Sequence, residues 1–181
     1  MATRAAILAA AHQRFMRESY DSVGLRDIAG DVGVDVALIG RYFGGKEGLF
    51  GEVLTSDERP LLSEGMTAET MPDHLCQLVT EDVNAERDHR MEMFIIMLRS
   101  ASSPKAGKII RRIMGDDILQ PLADQIGGES AQWRANMLLA LMMGVSVLRT
   151  VMESDGLNCM FESESAYKER LRGLFEAVLQ A

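Results

Sequence analysis

Gly33 and the residues around it constrain this chain more than any other stretch. From Gly24 to Phe43 it reads GLRDIAGDVGVDVALIGRYF. Leu25, Ile28, Ala29 and Val32 recur at helical spacing and make one apolar face. Gly33 follows directly, where a helix that must stop abruptly wants a residue tolerant of positive φ. Val34 fills the space between two helices. Asp35 is suited to cap the second one, whose inner face is Ile39 and Phe43. Two short helices joined by a Gly-containing turn make a helix-turn-helix, which lays its second helix in the DNA major groove. The same spacing also fits an ordinary αα-hairpin in a helical core, and spacing alone leaves both open.

Composition points to an all-α fold. The chain has 181 residues, 47% of them hydrophobic, enough for one or two cores. It has four Pro and few aromatic residues, and it lacks sustained alternating β-branched runs. Cys76 and Cys159 lie far apart without CxxC spacing, as expected of reduced thiols in a cytosolic protein. The N-terminus has no basic-then-apolar signal pattern. The longest charge-free apolar run, Ala135 to Leu148, is shorter than the roughly 20 residues that span a bilayer, so it predicts a buried helix and no membrane contact. A net charge of −8 by itself opposes DNA binding. The first fifty residues, however, carry six basic and six acidic side chains, so the whole excess falls on the remainder.

The flanks of the motif narrow the choice. Thr3 to Tyr20 is an Ala-rich helix with Ile7, Leu8, Ala11 and Phe15 on one side, and RYFGGKEGLF follows the motif from Arg41 to Phe50. This block resembles the N-terminal domain of the TetR family of bacterial transcription regulators. The resemblance rests on Ile7-Leu8, Ala10-Ala11, Phe15, Tyr20, Asp27-Ile28-Ala29, Gly33-Val34, Arg41-Tyr42-Phe43 and Lys46-Glu47-Gly48-Leu49. Beyond residue 50 the likeness is looser, in LRSASSPKAGKIIRR and ILQPLADQIGG. It implies a three-helix DNA-binding domain over residues 1–50 and a helical ligand-binding and dimerisation domain over 51–181.

A fourth helix is expected from Lys46 towards Ser56, broken by Arg59-Pro60 and the loop Ser63–Thr67. Further helices are expected from Pro72 to Ala85, Arg90 to Ser100, Lys105 to Ile126 with a disturbance near Gly115 and Pro121, Glu129 to Met152, and Ser165 to Leu179. Ser154–Ser163 reads as a loop.

In the head, Arg41 and Lys46 are the best phosphate ligands. A cation in the first turn of a helix opposes the macrodipole, and a phosphate at the same place reverses that effect. A solvated lysine paired with a carboxylate is the plainer alternative for Lys46; the resemblance favours the phosphate. Tyr42 can donate its hydroxyl to a phosphate or a base edge. Two positions depart from the family pattern: Gly24 stands where a capping hydroxyl is usual, and Gly40 where an aromatic residue is usual. Val36, Ala37 and Leu38 occupy the first turn of the second helix, after Asp35, and suit thymine methyl groups better than bidentate hydrogen bonds. Specificity then leans on DNA shape, Arg4, Arg26 and backbone contacts around Leu25.

The body carries no catalytic set. His12, His74 and His89 are scattered, without HExxH or a close Cys/His cluster, so neither a metal nor a cofactor is expected. What the body has is methionine, 13 in the chain. Met91, Met97, Met114 and Met137, with Phe94, Leu98 and Trp133, point to an apolar effector pocket when taken together with the resemblance. Arg99, Gln132, Asn136 and Arg149 would supply its few polar groups. A helix apolar on nearly all sides, Trp133 to Val151, needs burial on all sides. The resemblance makes the last two helices the homodimer interface. The expectation is thus a ligand-responsive repressor of a near-palindromic operator. Its rivals are a carrier or enzyme for apolar molecules with a vestigial head, and a structural helical dimer.

Overall fold

In a computed structural model the described residues are 2–56, 61–62, 66–80, 85–152, 154 and 163–181. They form helices α1 (Ala2–Arg17), α2 (Leu25–Val32), α3 (Ala37–Phe43), α4 (Lys46–Leu54), α5 (Met71–Thr80), α6 (Ala85–Ser100), α7 (Pro104–Ile113), α8 (Gln120–Ile126), α9 (Ala131–Thr150) and α10 (Glu164–Gln180). No strand occurs among the described residues, as the composition predicts. The expected break at Arg59-Pro60, residues 63–65 of the next loop, most of the 154–163 loop and Cys159 lie outside the described residues.

The chain folds as two units. The first comprises Met1–Arg59 and Asp88–Gly115. Its core is set by α1, where Ile7, Ala11 and Phe15 come at four-residue intervals and are fully buried. Phe50 of α4 packs edge-on to Phe15 at 4.9 Å and to Tyr20 at 5.0 Å. Met93 and Ile96 of α6 and Ala106 and Ile113 of α7 belong to the same core. The turn after α1 is pinned to the α6–α7 turn. The Tyr20 amide donates to Ser100 Oγ at 3.1 Å. Ser103 Oγ donates to Asp21 at 2.9 Å while capping α7 through the Ala106 amide. Residues 88–115 therefore fold with the head, and the packing division differs from a cut at Phe50.

The second unit comprises Pro60–Arg87 and Asp116–Ala181. Met71, Leu75 and Val79 of α5 meet Leu138 and Met142 of α9 and Leu171 and Phe175 of α10. Arg134 holds the start of α9, donating to Gly127 O and Glu129 O at 2.6 Å and to Leu179 O at 2.8 Å. This grip offsets the left-handed backbone of Ser130, at φ 60°. Cys76 is a buried free thiol that donates to Lys168 O at 3.4 Å, and burial pushes its pKa up.

The disturbance expected near Gly115 and Pro121 takes the form of a π-helical segment, Met114–Leu119, between α7 and α8. Pro121 lacks the amide that would continue an α-helical ladder, and its ring crowds the carbonyl four residues back, which favours the wider turn.

Within one chain α9 is covered only in part: its outer face carries Trp133 at 52% exposure and Val151, just past its end, at 54%, with Met137 and Leu148 between them. The helix has more apolar residues than one chain covers.

Candidate nucleic-acid interface

The turn between α2 and α3 is built as its sequence requires. Gly33 sits at φ 71°, and Val34 donates its amide to Ala29 O at 3.0 Å, the reverse-turn pattern that ends a helix on a left-handed glycine. Asp35 Oδ1 then accepts the Ala37 amide at 2.7 Å, so the carboxylate supports the start of α3, although the residue that flanks the helix is Val36 rather than the expected Asp35. Ile28 and Ala29 on one side and Ile39 and Phe43 on the other are buried and fix the angle between the helices.

What α3 leaves outside is Ala37, Gly40, Arg41 and Tyr42, all exposed. Val36 and Leu38 differ from expectation. They are half-buried against the core, because they flank Ile39 on the inner side of the helix. A Cβ on Gly40 would meet open space, so the missing aromatic leaves a smooth outer face. Arg41 forms no ion pair among the described residues. Tyr42 lies edge-on to Phe43 at 6.3 Å.

At the other end of α2, Gly24 is the N-cap and supplies no side-chain bond. Asp27 fills that space: its carboxylate stands 2.5 Å from where a Cβ on residue 24 would lie, close to the positive helix end. Leu25 is half-buried and packs on the core, and Arg26 is exposed in the same turn. A two-point Arg14–Asp31 pair, 2.6 and 2.8 Å, fastens α1 to α2 and holds the Asp31 carboxyl below the usual carboxylate range. Arg4 is engaged rather than free. It pairs with Glu52 and lies over the Phe43 ring at 4.9 Å.

Gly44 and Gly45, at φ 72° and 118°, turn the chain from α3 into α4. Gly48 has no alternative residue here, since a Cβ would fall 1.8 Å from Phe43 O. The missing side chain lets α4 lie directly against the end of α3. Lys46 then projects from the first turn of α4 over the Tyr20 ring, Nζ at 4.5 Å from its centre. Burial lowers its pKa, Asp21 opposes this, and Lys105 reinforces it. A surface cavity of about 420 Å³ is lined by Tyr20, Asp21, Gly44, Lys46, Glu47 and Lys105. Two lysines and a helix N-terminus share this hollow with two carboxylates, so its formal charges balance. Lys105 pairs with Glu47 at 3.8 Å. It went unnoticed in the sequence because only the fold brings α7 to α4.

The expected effector residues do not gather in one unit. Met91, Phe94, Met97, Leu98 and Met114 belong to the first unit, where Met97 packs on the core and Leu98 is 61% exposed. Trp133 and Met137 belong to the second and face outward. The polar set is also dispersed. Arg99 donates to Arg17 O at 3.0 Å, Arg149 to Val79 O, and Asn136 to Gln132 O at 2.7 Å within its own helix.

Residues 7–53 match the family described as bacterial regulatory proteins, tetR family. Residues 69–180 match the tetracyclin repressor-like C-terminal domain. No curated protein matches the chain. Among solved structures, GusR of Salmonella enterica shares 18% identity over 99% of this chain and 96% of its own, with a TM-score of 0.71. NalD of Pseudomonas aeruginosa, the secondary repressor of the MexAB-OprM multidrug efflux pump, shares 19% identity over 97% and 95%, with a TM-score of 0.68. A transcriptional regulator from Rhodococcus shares 19% over 98% and 96%, with a TM-score of 0.61.

Proposed function

The chain belongs to the TetR family of bacterial regulatory proteins and is a helical transcription regulator, and from that premise we propose a homodimeric repressor released from a near-palindromic operator by an apolar small molecule. The observation that carries this reading is the outer face of α3, where Arg41 and Tyr42 stand exposed beside the open backbone of Gly40. Residues 1–50 read the double-stranded DNA, and residues 51–181 take the effector and the second subunit. Arg41 and Lys46 neutralise phosphates, Ala37 and Tyr42 face base edges, and Asp35 and Gly24 set the ends of the two helices. Val36, Leu38 and Leu25 position that face from behind. Arg26 reaches the backbone, and Arg4 does so by leaving Glu52.

Two-fold protein symmetry imposes two-fold site symmetry, with half-sites about 34–36 Å or a multiple apart. The outward apolar residues of α9, together with Leu174 of α10, support dimerisation through the last two helices. NalD and GusR share this fold, and the description of NalD as a repressor favours the same role here. The methionines of α6, with Met114 just past α7, favour an apolar effector. This role places the protein in the cytoplasm with its operator.

Selection of binding sequences from a random duplex library tests the proposal. An inverted repeat bound by the full chain supports it. A single asymmetric half-site contradicts the dimer, and no enrichment returns the head to a vestigial role in a carrier.

A further inference from the structure

His12 lies on α1, and His89 and Glu92 lie one turn apart on α6, all within the first unit. His12 Nε2 stands 3.2 Å from Glu92 Oε2, and His89 Nδ1 stands 4.0 Å from the same oxygen. One ligating atom from each of the three lies within 4.8 Å of both others. The two imidazoles are stacked, centres 5.7 Å apart at 17°. His12 Nε2 is buried and makes no hydrogen bond, even with Glu92 so near. A buried ring nitrogen left in that state is costly unless something else occupies it. On the far side, His89 Nε2 faces Ser56 Oγ at 3.4 Å.

We propose that His12, His89 and Glu92 form a binding site for a divalent transition-metal ion of the zinc class, fastening α1 to α6. Two imidazoles and one carboxylate select a borderline ion such as Zn²⁺ or Co²⁺ over Mg²⁺ or Ca²⁺, which favour oxygen-only sets. Ligand bonds near 2.1 Å at tetrahedral angles put ligand atoms about 3.4 Å apart. The His12–Glu92 pair already has that spacing. His89 closes the remainder by turning its ring about χ2, a soft torsion. Its ligand is then Nδ1, while Nε2–H donates to Ser56 Oγ, which fixes the ring as an outer hydrogen bond does around zinc. The side chains of His89 and Glu92 are partly open to solvent, which gives the ion an entry path and room for a water as fourth ligand.

The site goes beyond the operator proposal and is measured without DNA. Tag-free, metal-stripped full-length protein is titrated with Co²⁺, followed by visible d–d absorption, and then with competing Zn²⁺. One ion per chain is expected, with the bands of a four- or five-coordinate site. His12→Ala, His89→Ala and Glu92→Gln each weaken binding at least tenfold, and Ser56→Ala about tenfold. His74→Ala leaves it unchanged. Zn²⁺ raises the thermal midpoint of the unaltered protein and not of His89→Ala, which unfolds like the unaltered chain in chelator. Absence of saturable binding, or binding that survives His89→Ala and Glu92→Gln, overturns the assignment.

Discussion

Phe50 and Trp133 are both large aromatic residues on apolar helices, and they end in opposite conditions. Phe50 is fully buried, enclosed by Phe15 and Tyr20. Trp133 is 52% exposed at the head of an outward apolar row that includes Met137, Leu148 and Val151. Both sequences are apolar enough for burial. The difference is the supply of an opposing surface. α4 receives one from α1 and α7, whereas α9 packs one face against α5, α8 and α10 and presents the rest outward. Apolar content thus tells how much surface a helix must hide, not which molecule hides it.

The contrast breaks most readily at Phe50. Phe50→Ala should lower the unfolding free energy by about 3–5 kcal/mol, the cost of emptying a rigid aromatic site. Urea unfolding of the full chain measures it; a loss under about 1 kcal/mol would mean that the first unit is loosely packed.

Next in size is the outer face of α9. Leu148→Glu should weaken self-association by about 2–4 kcal/mol while leaving the helical content intact, since a charge placed at an apolar interface core is strongly disfavoured. Sedimentation equilibrium gives the dimer constant. An unchanged dimer would move the interface away from this face and leave the exposed row unexplained.

A smaller effect concerns phosphate contacts. Arg41→Ala and Lys46→Ala should each flatten the slope of log K against log salt by about 0.9, with sequence preference retained. Lys46 is the sharper test, because it is half-buried over Tyr20 whereas Arg41 is exposed. A shift in preferred sequence with the slope intact would make either residue a base reader.

Smallest is a gain. Gly40→Ala adds a methyl group to open space in the middle of α3 and should stabilise the head by about 0.5–1 kcal/mol. Loss of stability in thermal unfolding would show that Gly40 serves the backbone.

The helix-turn-helix was legible because its determinants are local. Gly33 at positive φ, Asp35 at the helix start and the pairs Ile28/Ala29 and Ile39/Phe43 act within a few residues of one another. The wide turn at Met114–Leu119 was legible for the same reason, from Gly115 and Pro121. What the sequence hid depends on distant partners. Nothing near His12 announces His89, and nothing near Lys46 announces Lys105. Val36 and Leu38 looked outward by position in the motif, yet the side of the helix they share with Ile39 draws them in. Leu148 and Leu138 look alike in sequence, and only the packing tells which of them the chain covers.

The union of residues 1–59 with residues 88–115 bears on how such heads can be exchanged between regulators. A graft joined near Phe50 carries the reading helix but leaves behind Met93, Ile96, Ala106 and Ile113, with the two serines that hold the turn after α1. The transplant then depends on its host to supply a matching wall. For this chain the portable cassette is discontinuous, two segments that must travel together, and recombination at a single crossover cannot move it intact.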